Sequence, residues 1–442
     1  MTSLKSIFHR TTGRVAFGAV LVASFAFATP AERSAHAQSP DDGPDTFELL
    51  DLFGEVFGRI RDEYVEEISD RELIEAAIRG MMDGLDPHSA YMDEETFGAM
   101  QTQTRGEFGG LGIEVSLDES GYVRVVAPMD ETPAARAGIE AGDLITHLDG
   151  EPVQGKTLDE AVEIMRGEVG EDITLTVLRS SLSEPFDVII TRDRIQIQSV
   201  RSRLEGDVGY IRITSFSQQT QSGLERAIAD LREESGDELL GYVLDLRNNP
   251  GGLLNQGISV SDTFLERGEI VSTRGRDPED TQRYQATPGD LIHGMPLVVL
   301  INGGSASASE IVAGALQDQH RAIILGTQSF GKGSVQTITP LSRNGAAIKL
   351  TTQRYYTPSG RSIQQLGISP DIVVERARLE VLEGGPRRSE RDLEGSLENE
   401  DAEANGDGDN ENAQEPVIED YQLARALDLV RGIGLYRSQS AN

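Results

Sequence analysis

A run of serine, alanine and glycine residues stands where a predicted strand gives way to a helix. The segment from Asn302 to Glu310 reads NGGSASASE, after the apolar strand Leu297–Ile301 and before the helical run Ile311–Gln317. Such a turn exposes a hydroxyl at a helix N-terminus, where backbone N–H groups stabilise a developing oxyanion. We predict a nucleophilic serine here. The alternative is a plain capping box formed by Ser307 with Glu310.

A lysine between two glycines follows the next apolar strand, Ala322–Leu325. The segment from Phe330 to Gln336 reads FGKGSVQ. A lysine acts as a general base only as the neutral amine, so burial must lower its pKa from about 10.4 by several units. The flanking glycines allow the close backbone packing that such burial needs. A phosphate-binding loop would require Ser or Thr directly after Lys332, where Gly333 stands, so this alternative is weak.

A Pro-Gly-Gly turn ends a third apolar strand. The segment from Leu244 to Gly252 reads LDLRNNPGG. This turn can aim a glycine N–H group into a cleft, and we predict an oxyanion hole made by Ala308 with Gly251 or Gly252. The alternative is an ordinary turn that only ends the strand.

Histidine and cysteine chemistry are both poorly supported. The chain has no cysteine, which excludes a thiolate nucleophile, a disulfide framework and a cysteine-ligated zinc site. Four histidines follow the N-terminal segment, and none has a sequence context that marks it as a base: His88, His147, His293 and His320. A Ser-Lys pair is therefore favoured over Ser-His-Asp, and this chemistry requires no metal or cofactor.

A glycine-rich turn in the middle of the chain is suited to a peptide carboxylate. The segment from Phe108 to Ile113 reads FGGLGI, and its successive N–H groups, from Gly110, Leu111, Gly112 and Ile113, could hold a C-terminal carboxylate. The apolar residues of the following strands and of a nearby helix could line a groove beside it: Val115, Val123, Val125, Leu158, Val162 and Met165. We therefore predict protein or peptide substrates with apolar free C-termini. A glycine turn without a ligand is the alternative.

The elements that must position these groups divide the chain into segments. Residues 38–103 show helical spacing of apolar residues, and residues 104–195 show short alternating strands around a helix with a capping box at Thr157 and Glu160. Residues 196–380 alternate apolar strands with helices, which indicates an α/β core whose sheet is buried on both faces.

The charge balance is strongly acidic. The 442 residues, enough for two or three domains, include 74 Asp plus Glu and 40 Lys plus Arg, a formal charge of −34 that excludes nucleic acid as a partner. Residues 381–416 are interpreted as an acidic disordered tether, and residues 417–442 as a helix ending near Gly432. That helix could dock on its own core or on another subunit, so a homo-oligomer stays open.

The N-terminus has the pattern of a signal peptide. Basic residues precede the apolar run from Val15 to Ala28, and the small-residue site Ala35-His36-Ala37 follows. We predict that residues 1–37 are a signal peptide and that the protein is exported to the periplasm. An uncleaved segment that tethers the protein to the membrane is the alternative.

Taken together, these stretches resemble the carboxyl-terminal processing protease family, also called tail-specific proteases, from about residue 46 to 374. Four motifs match in order along the sequence: LDPHS at residues 85–89, FGGLGI at 108–113, SASASE at 305–310 and FGKGSVQ at 330–336. The resemblance implies an α/β fold, with a crotonase-like ββα protease core, an N-terminal helical segment and an inserted PDZ domain.

The resemblance also implies roles for single residues. The family's nucleophile falls on Ser307, its catalytic lysine on Lys332, and the glutamine that positions the lysine on Gln336. Asp318 matches an aspartate that is functionally important in some members, and Arg166 matches a regulatory PDZ arginine. The implied activity is that of a serine-type endopeptidase with a Ser-Lys dyad, and an adaptor protein is an open partner.

Two rival functions remain open at this point. A non-catalytic PDZ scaffold with an inactive core would fit the glycine turn, although the presence of both Ser307 and Lys332 argues against it. A crotonase-type acyl-CoA enzyme is suggested by fold analogy alone, and the export signal argues against it.

The acidic tether is predicted to be dispensable for chemistry. Deleting Glu390–Glu415, a stretch with eleven acidic residues and little apolar surface, should leave kcat and KM for peptide hydrolysis within about twofold of the intact protein. The measurement is steady-state hydrolysis of one peptide by both proteins. A collapse of activity in the shortened protein would contradict this prediction.

Overall fold

The structure is a computed structural model that describes residues 45–341, 345–377, 393, 395–397 and 420–440. The chain divides into two compact units, Met1–Leu73 and Ile74–Asn442. In the first unit, helix α1 (Thr46–Glu63) confirms the predicted helical spacing, yet none of its residues is buried. The predicted signal peptide and nearly all of the predicted tether lie outside the described residues. Within those residues, no helix is long and apolar enough to cross a membrane.

The segment before the inserted module continues with two helices and one short strand. These elements are α2 (Asp70–Asp83), β1 (Ala90–Met92) and α3 (Glu94–Arg105). Helix α3 begins at an N-cap, Asp93, whose side chain accepts a hydrogen bond from the Thr96 N–H group, and it ends at Gly106 in the left-handed conformation. This glycine turns the chain into the module.

The inserted module is a small β-sheet domain with its own core. Its elements are β2 (Glu107–Gly110), β3 (Ile113–Leu117), β4 (Val123–Pro128), α4 (Pro133–Arg136), β5 (Leu144–Leu148), β6 (Glu151–Pro152), α5 (Leu158–Met165), β7 (Asp172–Leu178), β8 (Phe186–Thr191) and β9 (Asp193–Gln196). The main sheet has the order β3-β4-β5-β7-β8, so β3 lies at an edge, and β2 pairs with β9. The predicted capping box forms at the start of α5.

The remaining elements form the core around a six-stranded sheet. They are β10 (Val200–Glu205), β11 (Val208–Ile213), α6 (Thr220–Ser235), β12 (Gly241–Asp245), α7 (Leu254–Asp262), β13 (Glu269–Arg274), β14 (Gln282–Gln285), β15 (Leu297–Ile301), α8 (Ala308–Asp318), β16 (Ile323–Gly326), β17 (Ser334–Pro340), β18 (Ala347–Tyr356), β19 (Ile372–Val373) and α9 (Tyr421–Ser440). The sheet has the order β10-β11-β12-β15-β16-β19, and all pairs beyond β10–β11 are parallel.

Strand β15 is apolar throughout, and β12 is apolar up to Asp245, because both faces of this sheet are covered. Tyr242 and Leu244 pack with residues of α6, α7 and α8, whereas Val243 faces the other side, where Ala426 of α9 packs. Every residue of β12 and of β15 is buried. The predicted α/β class is confirmed.

Parallel strands bring the three predicted motifs to one edge of the sheet. The carboxyl ends of β12, β15 and β16 lead directly into the Pro-Gly-Gly turn, the serine run and the lysine loop, and these strands are neighbours in the order β12-β15-β16. Loops that leave the carboxyl ends of adjacent parallel strands meet in the same crevice. A second sheet has the order β1-β18-β13-β14 with β17 on β18, and its strands β17 and β18 follow the lysine loop in the chain.

Helix α9 docks on the core of its own chain. Arg247 donates hydrogen bonds to Asp245 and, at 2.7 and 2.9 Å, to Asp420 just before the helix. Burial alone would lower the pKa of Arg247, but the two carboxylates raise it. The net shift is upward, so the guanidinium stays charged. The contact between Asp420 and Arg247 thereby joins the start of α9 to the segment between β12 and the Pro-Gly-Gly turn.

The prediction that α9 ends near Gly432 is wrong, because the helix continues to Ser440. A glycine inside a helix costs about 1 kcal/mol relative to alanine. At Gly434 the missing side chain allows close packing, because an added Cβ would lie 3.1 Å from Leu240 Cβ. The contact with the sheet outweighs the glycine's low helix propensity.

Candidate active site

Ser307 stands immediately before helix α8 in a conformation that L-residues rarely adopt. Its backbone angles are φ 55° and ψ −113°, and its side chain is almost fully buried. Such a conformation costs about 1–3 kcal/mol and persists only where neighbouring contacts enforce it. Here the Ser307 N–H group donates to the Glu310 carboxylate at 2.8 Å, and the Glu310 N–H group donates to the Ser307 carbonyl at 2.9 Å.

The Glu310 carboxylate also holds the lysine loop. It is fully buried and accepts hydrogen bonds from the Ser329 hydroxyl at 2.6 Å, the Gly331 N–H at 2.7 Å and the Lys332 N–H at 2.9 Å. Burial raises the pKa of Glu310, and these hydrogen bonds oppose that shift. One side chain thus joins the start of α8 to the loop that carries Lys332.

Ser307 and Lys332 line the same cavity, which has a volume of about 570 Å³. Gln336 and the buried Tyr355 line it as well. Burial raises the pKa of Tyr355 to about 12, against a smaller opposing effect of the Ser307 side chain, so the phenol is neutral near pH 7. No histidine is among the residues that line this cavity.

Lys332 occupies an environment that disfavours its charged form. Burial lowers the pKa of its amine, and the nearby positive charge of Lys349 lowers it further. The carboxylates of Glu310 and Asp86 oppose the shift without reversing it. The flanking Gly333 is required by a close approach, because an added Cβ would lie 2.3 Å from the Gln364 nitrogen.

The Pro-Gly-Gly turn lies directly against the serine. A Cβ on Gly251 would stand 2.7 Å from Ser307 Cβ and 3.0 Å from the Ala308 nitrogen. The Gly251 N–H group, however, donates to Asn249 Oδ1 at 2.9 Å. Of the two predicted glycine donors, Gly252 is therefore the better candidate in this conformation.

Family models match three parts of the chain. Residues 207–374 match peptidase family S41, residues 124–179 match a PDZ domain, and residues 18–96 match the N-terminal domain of the activating protease CtpB. The S41 match contains all three motifs that meet at the edge of the sheet.

Curated relatives decide the family. A carboxy-terminal-processing protease of Bartonella bacilliformis is 51% identical over 400 residues, which cover 90% of this chain and 92% of the relative. This chain belongs to the carboxyl-terminal processing protease family. A carboxyl-terminal-processing protease of Synechocystis sp. is 38% identical over 72% of this chain and 75% of its own length. The solved photosystem II D1 C-terminal processing protease is 30% identical, covering 74% of this chain and 86% of that one with a TM-score of 0.43.

Membership of this family confirms two predictions. The chain is a serine-type peptidase, and its inserted module is a PDZ domain. The rival interpretations as a non-catalytic scaffold and as an acyl-CoA enzyme lose their support, since processing proteases match almost the whole chain. Within the described residues, no group of three or more His, Asp or Glu side chains is placed to hold a metal ion.

The predicted carboxylate loop lies between β2 and the edge strand β3. Gly112 has φ 74°, and an added Cβ would overlap Thr132, whose hydroxyl donates to the Gly112 carbonyl at 3.0 Å. Of the predicted groove residues, Val123 and Val125 are buried in the core, as is Met165. Three others remain half-exposed on β3 and α5: Val115, Leu158 and Val162.

Two of the predicted residues lie apart from this cavity. Asp318 ends α8 about 16 Å along the helix axis from Ser307, given a rise of about 1.5 Å per residue. Its carboxylate accepts from the Ser359 N–H at 2.9 Å and lies 3.5 Å from the Arg361 guanidinium. Arg166 follows α5 in the PDZ domain, where its guanidinium stacks on the Phe108 ring at 4.9 Å.

Sequence reasoning missed the roles of Glu310 and Tyr355. The sequence indicates Glu310 only as a helix cap, although the residue lies inside the serine run and has apolar neighbours in the sequence. Tyr355 lies on β18, and no sequence signal shows that this strand returns to the serine. Glu310 holds the backbone of Ser307, and Tyr355 lines the cavity beside it.

Replacing Glu310 by Gln should damage both the fold and the activity. A glutamine offers one acceptor oxygen, and its amide NH₂ would face N–H donors, leaving at least one of them unpaired at about 1–3 kcal/mol each. We expect a lower melting temperature and a kcat reduced about 10²-fold, measured by thermal unfolding and by peptide hydrolysis.

The matched control is Glu225→Gln on the exposed face of α6, where the carboxylate accepts one hydrogen bond from Gln221. This variant should keep the melting temperature and kcat of the unchanged protein. If Glu310→Gln behaved like Glu225→Gln, the Glu310 carboxylate would not hold the site together.

Proposed function

We propose that this protein is an exported serine endopeptidase that binds substrate C-termini through its PDZ domain and cleaves with a Ser307–Lys332 dyad. The observation that carries the proposal is the shared cavity, in which a buried serine stands with a lysine whose pKa is lowered by burial. A lysine that loses its proton more readily than usual is suited to the role of general base.

The proposed reaction is acyl transfer. Neutral Lys332 accepts the proton of the Ser307 hydroxyl as Oγ attacks the scissile carbonyl carbon, and the carbonyl oxygen becomes an oxyanion held by the N–H groups of Ala308 and Gly252. The lysine ammonium then protonates the departing amine as the C–N bond breaks. A water molecule, deprotonated by Lys332, hydrolyses the acyl-enzyme and regenerates Ser307.

Substrate capture is proposed for the PDZ domain. Strand β3 is at the edge of its sheet, so an extended peptide could add as a further strand between β3 and α5. The loop from Gly110 to Ile113 would then meet the terminal carboxylate, and half-exposed Val115, Leu158 and Val162 would contact apolar terminal side chains.

Export is proposed from the N-terminal pattern alone. Basic residues, the apolar run Val15–Ala28 and the Ala35-His36-Ala37 site are typical of secreted precursors, and they favour a periplasmic enzyme.

Lys332 variants test the dyad. Because the ammonium form is inactive, kcat/KM should rise with pH along one ionisation whose midpoint lies below that of an exposed lysine. Lys332→Ala should lose about 10³-fold in kcat, and Lys332→Arg should be similarly inactive because a guanidinium keeps its proton. The measurement is kcat/KM against pH, with circular dichroism to show that both variants fold. A folded Lys332→Ala protein with more than about a tenth of the original activity would refute the dyad.

Amidated peptides test the role of the PDZ loop. Replacing the terminal carboxylate by an amide removes charge-assisted hydrogen bonds worth about 1.5–3 kcal/mol each, so KM should rise about tenfold or more with a smaller change in kcat. The measurement compares the acid and amide forms of one cleaved peptide. Acetylating the other end of the same peptide is the control, and it should leave KM unchanged. Equal KM values for acid and amide would exclude carboxylate recognition.

A further inference from the structure

The LDPHS segment, far from the serine in sequence, reaches the strands that follow the lysine loop. Strand β1 pairs with β18, with Ala90 opposite Lys349. Just before β1, the Asp86 carboxylate accepts hydrogen bonds from the His88 N–H at 2.8 Å, the Ser89 N–H at 3.0 Å and the Ser89 hydroxyl at 2.7 Å. These bonds fix the position of the carboxylate in its own turn.

Asp86 also holds a threonine of β18. The Thr351 N–H group donates to Ser89 Oγ at 3.0 Å, and the Thr351 hydroxyl donates to Asp86 Oδ1 at 3.1 Å. Burial alone would raise the pKa of Asp86, but the hydrogen bonds from Ser89, His88 and Thr351 lower it below its ordinary value. An ionised carboxylate accepts hydrogen bonds and donates none. The single hydroxyl proton of Thr351 is therefore committed to Asp86.

The orientation of the Gln336 side chain follows from that commitment. Gln336 Nε2 donates to Ser334 Oγ at 2.9 Å and to Thr351 Oγ1 at 3.1 Å. Since the Thr351 proton points to Asp86, its oxygen presents lone pairs to the glutamine. A reversed amide would bring Gln336 Oε1 against those lone pairs, which is repulsive. The amide N–H groups are thus held on the Thr351 side, and Oε1 is left free to face another partner.

We infer that Asp86 is a positioning residue that acts through the Thr351 hydroxyl to present Gln336 Oε1 to the Lys332 amine. The inference rests on the proposed dyad and on the proposed role of Gln336. Gln336 and Lys332 line one cavity, and the Asp86 charge acts on Lys332. A carbonyl oxygen at the amine would aim the nitrogen lone pair toward Ser307 and would favour the ammonium between turnovers.

Asp86→Asn and Thr351→Val are the two test variants. The asparagine places its NH₂ group toward the Ser89 hydroxyl and leaves a neutral oxygen at the Oδ1 position, which two backbone N–H groups require. A neutral oxygen accepts the Thr351 proton more weakly than a carboxylate does, so that proton can turn toward Gln336 and favour the reversed amide. The valine removes the hydroxyl without changing any charge. Both variants should lower kcat about 10- to 100-fold with KM within about twofold, because the lysine is misplaced while the cavity keeps its shape. The double variant should lose no more kcat than the more damaging of the two single variants, because both changes act on one chain of hydrogen bonds.

The pH profile separates positioning from a structural effect. A carbonyl that stabilises the ammonium raises the lysine pKa, so its loss should move the acidic limb of the kcat profile to lower pH in both variants. Loss of the Asp86 charge adds to this shift in Asp86→Asn, whereas Thr351→Val reports the amide alone. A lower kcat with an unmoved acidic limb and a lower melting temperature would overturn the inference.

Two conservative variants serve as controls. Thr351→Ser keeps the hydroxyl and should retain kcat within about threefold. Thr352→Val makes the same change one residue further along β18, where the hydroxyl pairs with Thr337 at 2.7 Å on the exposed side, and it should behave like the unchanged protein. Equal losses in Thr351→Val and Thr352→Val would overturn the inference.

Gln336→Ala separates this inference from the proposed function. A strong loss in Gln336→Ala and Lys332→Ala, together with unaffected Asp86→Asn and Thr351→Val proteins, would leave the dyad standing and refute the role of Asp86. An active Lys332→Ala protein would instead refute the dyad. Agreement in kcat loss and in limb shift between Asp86→Asn, Thr351→Val and Gln336→Ala is the expected result.

Discussion

The site depends on one buried carboxylate. Glu310 accepts hydrogen bonds from the N–H groups of Ser307, Gly331 and Lys332 and from the Ser329 hydroxyl, so it binds two chain segments that leave different strands. The hydrogen bond from the Ser307 N–H group to this carboxylate helps to stabilise the strained backbone of Ser307. The hydrogen bonds from the Gly331 and Lys332 N–H groups to Glu310 hold the lysine loop against the start of α8. The Lys332 amine is buried there, and burial lowers its pKa.

The parallel sheet explains why distant motifs meet. Strands β12, β15 and β16 are neighbours in the sheet, and each ends at the same edge. The loops that follow them, which carry the Pro-Gly-Gly turn, Ser307 and Lys332, therefore lie side by side in one crevice. Strand β18 of another sheet borders this crevice, because Tyr355 lines the cavity together with Ser307 and its N–H group donates to the Gly333 carbonyl at 2.8 Å. The result is a cavity whose walls come from two separate sheets.

Local sequence patterns predicted many of the strands and the catalytic turns, but they predicted very few of the long-range contacts. The apolar runs predicted β12 and β15 because strands of a sheet covered on both faces need mostly apolar residues, and the serine run and glycine-flanked lysine were visible as unusual turns. The pairing of β1 with β18, and hence the place of Asp86, depends on strands far apart in sequence that carry no mark of their partner. The sequence predicts too short an α9 because glycine propensity is a local property, whereas the packing of Gly434 against Leu240 is a tertiary contact.

The docking of α9 has a consequence for how the chain folds during its synthesis. Asp420 binds Arg247, and Ala426 and Val430 fill the face of the sheet opposite α8. Residues 420–440 are translated after every other part of the core, and until they arrive the Arg247 guanidinium lacks one of its two carboxylates and the sheet exposes an apolar face. The face of the sheet around β12 therefore gains its last contacts only when α9 docks. The peptidase core of a nascent chain is not fully assembled while synthesis continues.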